Sequence, residues 1–450
     1  MNRELKRHPL VEQYLESVCG KVKAKEVHED IKLEMLSHLE ERVEDRLLAG
    51  DISEEDAIAD AIEQMGDPEQ IGKQLHAAHR PRMEWTLLGI CMMLIGIGLV
   101  AMLAVQATGS AVLGHHYVVK KIVYVVLGLA AMVYFYFLDY RKLQRYSWHL
   151  YGFTIALMLA ASQIGPVITG LRQWIAVGPF TFNIAAASPL LFMVAFAGIL
   201  TMERAAEQSG LKQKSRTLRE IVFFFLLPSY FYLSNSLLLY YSIFCFGTFL
   251  LIIVIGRKYK LALAGFGTLA AIILWIAQDS YRYSYVWLRL KGFLYPYADS
   301  NYHTDRSIEA IRSGGMWGQG FGAINDRLPA FNGEMLYSYL VYSLGWAFGL
   351  MIVVLAFLFI MKVVSMALQL KDLYAKGIIV GVVMVLGVQF VWNLLMSFGF
   401  MPISSTRLPL IGWGSYTFIE LAVVGLMLGA YRRKDIVGQS AAKSIASHNI

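Results

Sequence analysis

The sequence predicts an all-α, polytopic membrane protein of about ten transmembrane helices, preceded by a small N-terminal cytoplasmic helical domain. Three observations carry this. Of 450 residues, 57% are hydrophobic and 16% charged, with a mean hydropathy of +0.50. That is too little charge to keep the surface of a soluble domain wet. The charge is also split. Residues 1–83 hold 12 Lys and Arg against 19 Asp and Glu, a net of −7, and the remainder holds 28 against 14, a net of +14. Finally, from Trp85 onward apolar runs follow one another, many close to the ~20 residues that cross a bilayer as a helix.

The acidic first segment reads as a domain of its own, residues 1–83. Leu33, Leu36, Leu39, Val43 and Leu47 recur at three- and four-residue spacing and predict one buried helix face. Gly50 stops that helix. Ser53 with Asp56 three residues on resembles a capping arrangement and opens a helix carrying Ala57, Ile58, Ala61, Ile62 and Met65. Gly66-Asp67-Pro68 ends it and starts the next, with Pro68 in a first turn where its missing N–H costs nothing. The phrases Ser53 to Ile58 and Gly66 to Ile71 make this stretch similar to the permease-prefix-like helical domains found ahead of some Gram-positive membrane proteins.

The membrane part spans residues 84–434, with 435–450 as a cytoplasmic tail. Its predicted spans are 86–107, 120–138, 149–165, 182–202, 220–236, 238–255, 260–277, 335–361, 377–400 and 414–431. Basic groups fall on alternating loops: Arg141, Lys142 and Arg145; Lys212 to Arg219; Arg257 to Lys260; Lys362 to Lys376; Arg432 to Lys434. By the positive-inside rule those loops and both termini face the cytoplasm. Because the positive charge sits in short loops between apolar runs, it reads as topology and not as a nucleic-acid surface. Cys19, Cys91 and Cys245 lie far apart and propose neither a disulfide framework nor a metal site. The first 83 residues do not read as a cleavable signal, being charged and followed by a run long enough to stay in the membrane. Three segments fall outside the cytoplasm: 166–181, the long 278–334, and 401–413. A connection of that middle length is seldom a mere connector.

Those same segments carry a resemblance. Gly170 to Phe182 reads GLRQWIAVGPFTF and is similar to the phrase G-A-R-R-W-I-x-L-G-P-F-S-F. Ser313 to Gly322, with Gly314, Gly315, Gly318 and Gly320, resembles S-G-G-L-x-G-x-G-x-G. It is followed by Leu328-Pro329 and by Glu334 at the spacing of L-P-E-x-x-T-D-F. Pro402 to Ser404, Leu408-Pro409 and Gly412 to Ser415, with Gly414, resemble L-P-x-T-G-x-x-L-P-F-x-S-Y-G-G, after a ninth span in which Gln389 and Asn393 also match. In their order, these motifs are those of the SEDS (FtsW/RodA/SpoVE-like) family, and the likeness covers residues 86–434. Taken alone, the glycine-rich stretch reads as a turn.

The resemblance implies a peptidoglycan glycosyltransferase that polymerises lipid II at the outer face of the bacterial cytoplasmic membrane, in cell-shape, division or sporulation wall synthesis. It also implies a single-span class B penicillin-binding protein as partner, no nucleic acid, and a divalent metal ion (Mg or Mn) as cofactor through ligands the sequence leaves unknown. Such chemistry needs a carboxylate to take the attacking hydroxyl's proton and cations for the departing pyrophosphate. Glu334 stands where the family has its Asp, so it is the candidate base. Its bland role is to cap a helix starting at Met335. Arg172, Arg289 and Arg407 are candidate phosphate ligands, since a guanidinium is a planar, permanently charged fork. Trp174 is a candidate substrate contact or an interfacial anchor, and Arg289 has a solvated surface charge as its plain alternative.

Departures from the family phrase are as informative. After Phe182 the usual Q-P-S-E-x-x-K is replaced by Asn183 to Pro189, which removes both an acid and a lysine. Asn332-Gly333 stands for H-T, and Gly412 for a serine. Arg407 replaces an apolar residue and is a partial substitute for the lost lysine. Glu420, about two turns into the last span, has no family counterpart. An intramembrane acid needs a partner, either a cation or Asn393. This pattern keeps two alternatives open: a catalytically inactive relative that binds a lipid-linked precursor or scaffolds a cell-wall complex, and a lipid transporter. A transporter would more typically show internal repeats, and none is evident.

Overall fold

The computed structural model describes residues 8–22, 28–50, 53–78, 83–109, 117–168, 172–178, 180–208, 220–234, 238–256 and 302–434, with isolated positions between 259 and 278. The chain divides into two compact units. One is Met1–Met83 with Arg432–Ile450, and the other is Glu84–Tyr431.

Among the described residues the first unit packs four helices, α1 (Pro9–Lys21), α2 (His28–Ala49), α3 (Glu54–Met65) and α4 (Pro68–Ala78). Its core gathers Val11, Tyr14, Leu15, Val18, Leu36, Leu39, Val43, Ala57, Ile58 and Ala61. The Ser53 cap forms: its hydroxyl accepts the Asp56 N–H at 3.2 Å and donates to the Asp56 carboxylate at 2.6 Å. One expectation fails. Leu33 is 55% exposed, and Ile31 and Met35 take the buried face with Leu36 and Leu39. A 3.6-residue repeat admits both registers when leucines flank the true face. The periodicity read above also passed over α1.

The membrane unit begins with α5 (Trp85–Ala107), α6 (Tyr117–Phe137), a short α7 (Tyr140–Arg145) and α8 (Ser147–Ile164). An antiparallel hairpin follows, β1 (Trp174–Val177) with β2 (Phe180–Asn183), Trp174 paired with Asn183. Among the described residues this hairpin is the one sheet in an otherwise helical unit, and the all-α fold class holds. Then come α9 (Ile184–Gln208), α10 (Leu227–Ser234), α11 (Leu238–Leu251), α12 (Tyr302–Ser313), α13 (Leu336–Leu344), α14 (Trp346–Gln369), α15 (Leu373–Ser397) and α16 (Tyr416–Arg432). Wide π turns at Val222–Leu226 and Ile252–Gly256 precede α10 and follow α11.

Among the described residues six helices are long and apolar enough to cross a membrane, and the chain spans the bilayer. The seventh predicted span, 260–277, lies largely outside the described residues. The predicted eighth span is two helices, because Gly345 at φ +89 breaks the chain between α13 and α14. The break is locked by the glycine-rich stretch. Gln319 N donates to Tyr342 O at 2.9 Å, Gly320 N to Ser343 O at 3.1 Å, and Trp346 N to Gly315 O at 2.9 Å.

Helix α9 is the most enclosed of the six long apolar helices, with 89% of its apolar stretch buried, whereas α6 is 28% buried and turns most of its surface outward. Pro189 inside α9 cannot donate to Ala185 O, and the Ser188 hydroxyl does so instead, at 3.0 Å. Helix α6 approaches α16 closely because both carry glycine at the crossing. A Cβ on Gly429 would lie 2.7 Å from Tyr136 O, and one on Gly425 2.6 Å from Met132 Cα. Small residues let backbones meet where lipid offers no hydrophobic drive.

Candidate functional site

The segment 401–413, expected as an outer loop, enters the protein interior. Leu408, Leu410 and Ile411 are at most 1% exposed. A buried loop must find partners for its backbone polar groups. Here they come from α6 and α16. Lys121 Nζ donates to Leu410 O at 2.8 Å, to Gly412 O at 2.6 Å and to Thr417 Oγ1 at 3.1 Å. Glu420 Oε2 accepts from Leu410 N at 2.9 Å. Leu410 itself is left-handed, at φ +62. The cation expected near Glu420 is therefore present, gripping the same residue. The alternative partner Asn393 is engaged elsewhere. Lys121 went unassigned in the sequence, although a lysine at the head of an apolar run was the available signal.

Asn393, fully buried on α15, donates to Glu334 O and to Thr406 O, each at 3.2 Å. It thereby joins the turn carrying the candidate base to the loop carrying Arg407. Asn332, in the same turn, donates to Tyr117 OH at 3.0 Å, and the Tyr117 ring meets Trp413 edge-on at 5.3 Å. Glu334 is partly exposed. Helix α13 starts at Leu336 with Met335 in the cap position and no acid in its first turn. The helix-capping role for Glu334 is thus displaced by one residue.

Arg407 donates to Trp413 O at 2.7 Å, and its guanidinium lies 5.0 Å from the Trp413 ring centre and 5.9 Å from that of Trp174. Gly414 leaves room for it, since a Cβ there would lie 2.8 Å from Nη1. Desolvation works against the charge, and Tyr240, Glu334 and Glu420 work in its favour. Beneath it is a small cavity lined by Trp174, Asn183, Ala186, Tyr240, Gln389, Thr406, Arg407, Ser415 and Tyr416. Trp174 Nε1, Thr406 Oγ1 and Ser415 Oγ are buried and meet no hydrogen-bond partner among the described residues. An indole N–H, two hydroxyls and a guanidinium can all donate, so the cavity favours an electron-rich oxygen.

The structure brings Glu334, Trp174 and Arg407 together but not Arg172. That side chain is exposed and donates to Gln163 O at 2.8 Å near the end of α8. Arg289 lies outside the described residues. Gly315 and Gly320 make hydrogen bonds of the lock on the α13–α14 break, and Gly314 and Gly318 let the two backbones approach there. Pro402 O accepts the Trp392 indole at 3.3 Å, and Pro409 O accepts Ile411 N at 2.7 Å. Among the described residues no three His, Cys, Asp or Glu side chains gather as a metal site would need.

These features meet their likeness in known proteins. The probable peptidoglycan glycosyltransferase FtsW of Thioalkalivibrio sulfidiphilus is 28% identical over 387 residues, covering 80% of this chain and 92% of that one. Stage V sporulation protein E of Bacillus subtilis is 23% identical over 326 residues, covering 70% and 86%. The fold is that of the rod shape determining protein RodA of Thermus thermophilus, with a TM-score of 0.56 at 22% identity over 78% of this chain and 97% of that one. A chain from a peptidoglycan synthase complex that coordinates polymerization and crosslinking gives 0.62 at 23% identity, over 78% and 98%. The profile of the FtsW/RodA/SpoVE cell cycle proteins matches residues 85–435, and the chain belongs to that family.

Proposed function

We propose that this chain is a peptidoglycan glycosyltransferase that polymerises lipid II at the outer face of the cytoplasmic membrane, with both termini inside. In one turnover the 4-hydroxyl of an incoming lipid-linked disaccharide attacks the anomeric carbon of the growing chain. A new C–O bond forms, and the bond to the polyprenyl pyrophosphate breaks with its electron pair leaving on the phosphate oxygen. Glu334 takes the hydroxyl's proton. Arg407 receives the pyrophosphate charge, aided by the Trp174, Thr406 and Ser415 donors. Placing charged donors ahead of time where negative charge develops is an effective form of catalysis.

The observation that carries this reading is the cavity wall, where Arg407 stands beside three buried polar atoms that meet no hydrogen-bond partner among the described residues. Lipid II brings an oxygen-rich anion of the kind they would bind. Magnesium is often held by one or two carboxylates and substrate phosphates. A divalent ion arriving on the pyrophosphate would find Glu334 nearby, and no step above depends on it. The partner is a single-span class B penicillin-binding protein, and the acidic prefix is a cytoplasmic docking module.

One observation favours a second reading, a lipid-binding scaffold without turnover: Ala186 and Ala187 fill the stretch where the family phrase carries its acid, and both are buried. Polymerisation of lipid II by the purified chain with its partner, with and without divalent ion, decides between them. Glycan strands made by the wild type and lost in Glu334→Gln establish the enzyme. No strands, with the partner shown to bind, leave the scaffold.

A further inference from the structure

We propose that Lys121 and Glu420 are a positioning pair, which holds the backbone of residues 410–412 so that Arg407 stands over the cavity. The proposal rests on the reading of Arg407 as the pyrophosphate ligand.

The pair sits in the protein interior, Lys121 at 1% and Glu420 at 2% exposure. Ionisable groups at such depth persist where they are held by partners and put to use. Lys121 has three donors, and all three are engaged, on Leu410 O, Gly412 O and Thr417 Oγ1. Glu420 engages the N–H of the same Leu410. One residue is thus held at both its carbonyl and its amide, by side chains from two different helices. Leu410 needs such a hold, because a branched side chain at φ +62 is a conformation that L-residues leave when released.

The link to Arg407 is one residue long. Gly412 O is held by Lys121, and the next carbonyl, Trp413 O, is the acceptor for the Arg407 guanidinium at 2.7 Å. The Trp413 ring lies under the same guanidinium. Rotation of the 410–412 peptides would carry both the carbonyl and the ring away from the cavity. Among the described residues that line the cavity Arg407 is the one charged group, so its placement is correspondingly strict.

The test is a double-mutant cycle on the full chain with its partner, reading kcat and KM for lipid II together with thermal unfolding. Lys121→Met should lower kcat/KM about 100-fold, the loss expected for a misplacement on the order of 1 Å. In an Arg407→Ala background the same change should cost little, since the residue it positions is gone. Glu420→Gln keeps an oxygen for the Leu410 N–H and should lose far less activity than Glu420→Met. If Lys121→Met does not fold, that glutamine–methionine contrast, measured with and without Arg407, carries the test. The exchange Lys121→Glu/Glu420→Lys balances charge but offers Leu410 the wrong groups, and it should stay impaired. Additive losses, equal effects of Glu420→Gln and Glu420→Met, or restored activity in the exchange would each overturn the pair. A wild type silent on lipid II overturns the polymerase reading and this inference with it. An active wild type with additive losses overturns only the pair.

Discussion

The Asn393 amide donates at 3.2 Å to the main-chain carbonyl of Glu334, and the same nitrogen reaches Thr406 O at 3.2 Å. One side chain therefore sets the distance between the turn that bears the candidate base and the loop that bears the candidate cation. Asn393→Leu is close in size but donates nothing. Leaving a buried carbonyl without its donor costs about 1–3 kcal/mol. The variant should unfold at a lower temperature and lose kcat by more than KM changes. Unfolding in detergent micelles alongside lipid II turnover checks both. A fully active Asn393→Leu would show that the two loops need no such tie.

Glu334 carries its own prediction. Glu334→Gln keeps the shape and loses the proton acceptor, and should leave polymerisation at background. Glu334→Asp keeps a carboxylate but shortens its arm by one methylene. A misplacement of ~1 Å costs on the order of 100-fold, so this variant should be slow but not silent. Single-turnover assays with labelled lipid II separate the two. Equal, background-level activity in both would mean that the turn cannot adapt to the shorter acid.

At Arg407 the question is whether charge alone suffices. Lysine retains the charge but not the planar fork, and it stacks less well on indole. Arg407→Lys should therefore raise KM for lipid II, and Arg407→Ala should raise it further and lower kcat. Trp174→Phe keeps a ring for the guanidinium and removes the buried Nε1 donor. If Trp174 served only as an anchor at the membrane surface, that change would be silent. The cavity reading expects a measurable loss of lipid II affinity in equilibrium binding.

How much of this the sequence could reveal varies with the kind of signal. Helix existence was legible, because a run of ~20 apolar residues has few other uses. The break at Gly345 was not, since Leu336 to Gln369 is apolar on both sides of it and glycine is common in membrane helices. The hairpin Trp174–Asn183 was hidden by its brevity. In the candidate site, Arg407 and Trp174 were both legible as motif residues and lie against the same cavity, whereas Arg172, named from the same motif as Trp174, points elsewhere. Its side chain in fact turns to Gln163 O. Lys121 was missed because its partners are 289 and more residues away, a separation no local pattern encodes. Glu420 was visible as an oddity, and only the fold could supply its partner.

The last prediction separates two reasons for a glycine in the lock between the 313–322 stretch and the α13–α14 break. Gly315 has φ +62 with open space where a Cβ would go. Gly345 has φ +89, and a Cβ there would lie 2.6 Å from Gly318 N. Gly315→Ala should therefore cost only the left-handed backbone penalty, about 1–2 kcal/mol. Gly345→Ala meets that penalty and also drives the two backbone strands of the lock apart. Its thermal midpoint in detergent should fall well below that of Gly315→Ala. Hydrogen exchange should show the amides of Gln319, Gly320 and Trp346 losing protection together, because those three bonds close the lock. Equal midpoints would mean that backbone conformation, and not the close approach of the two segments, is what keeps glycine at Gly345.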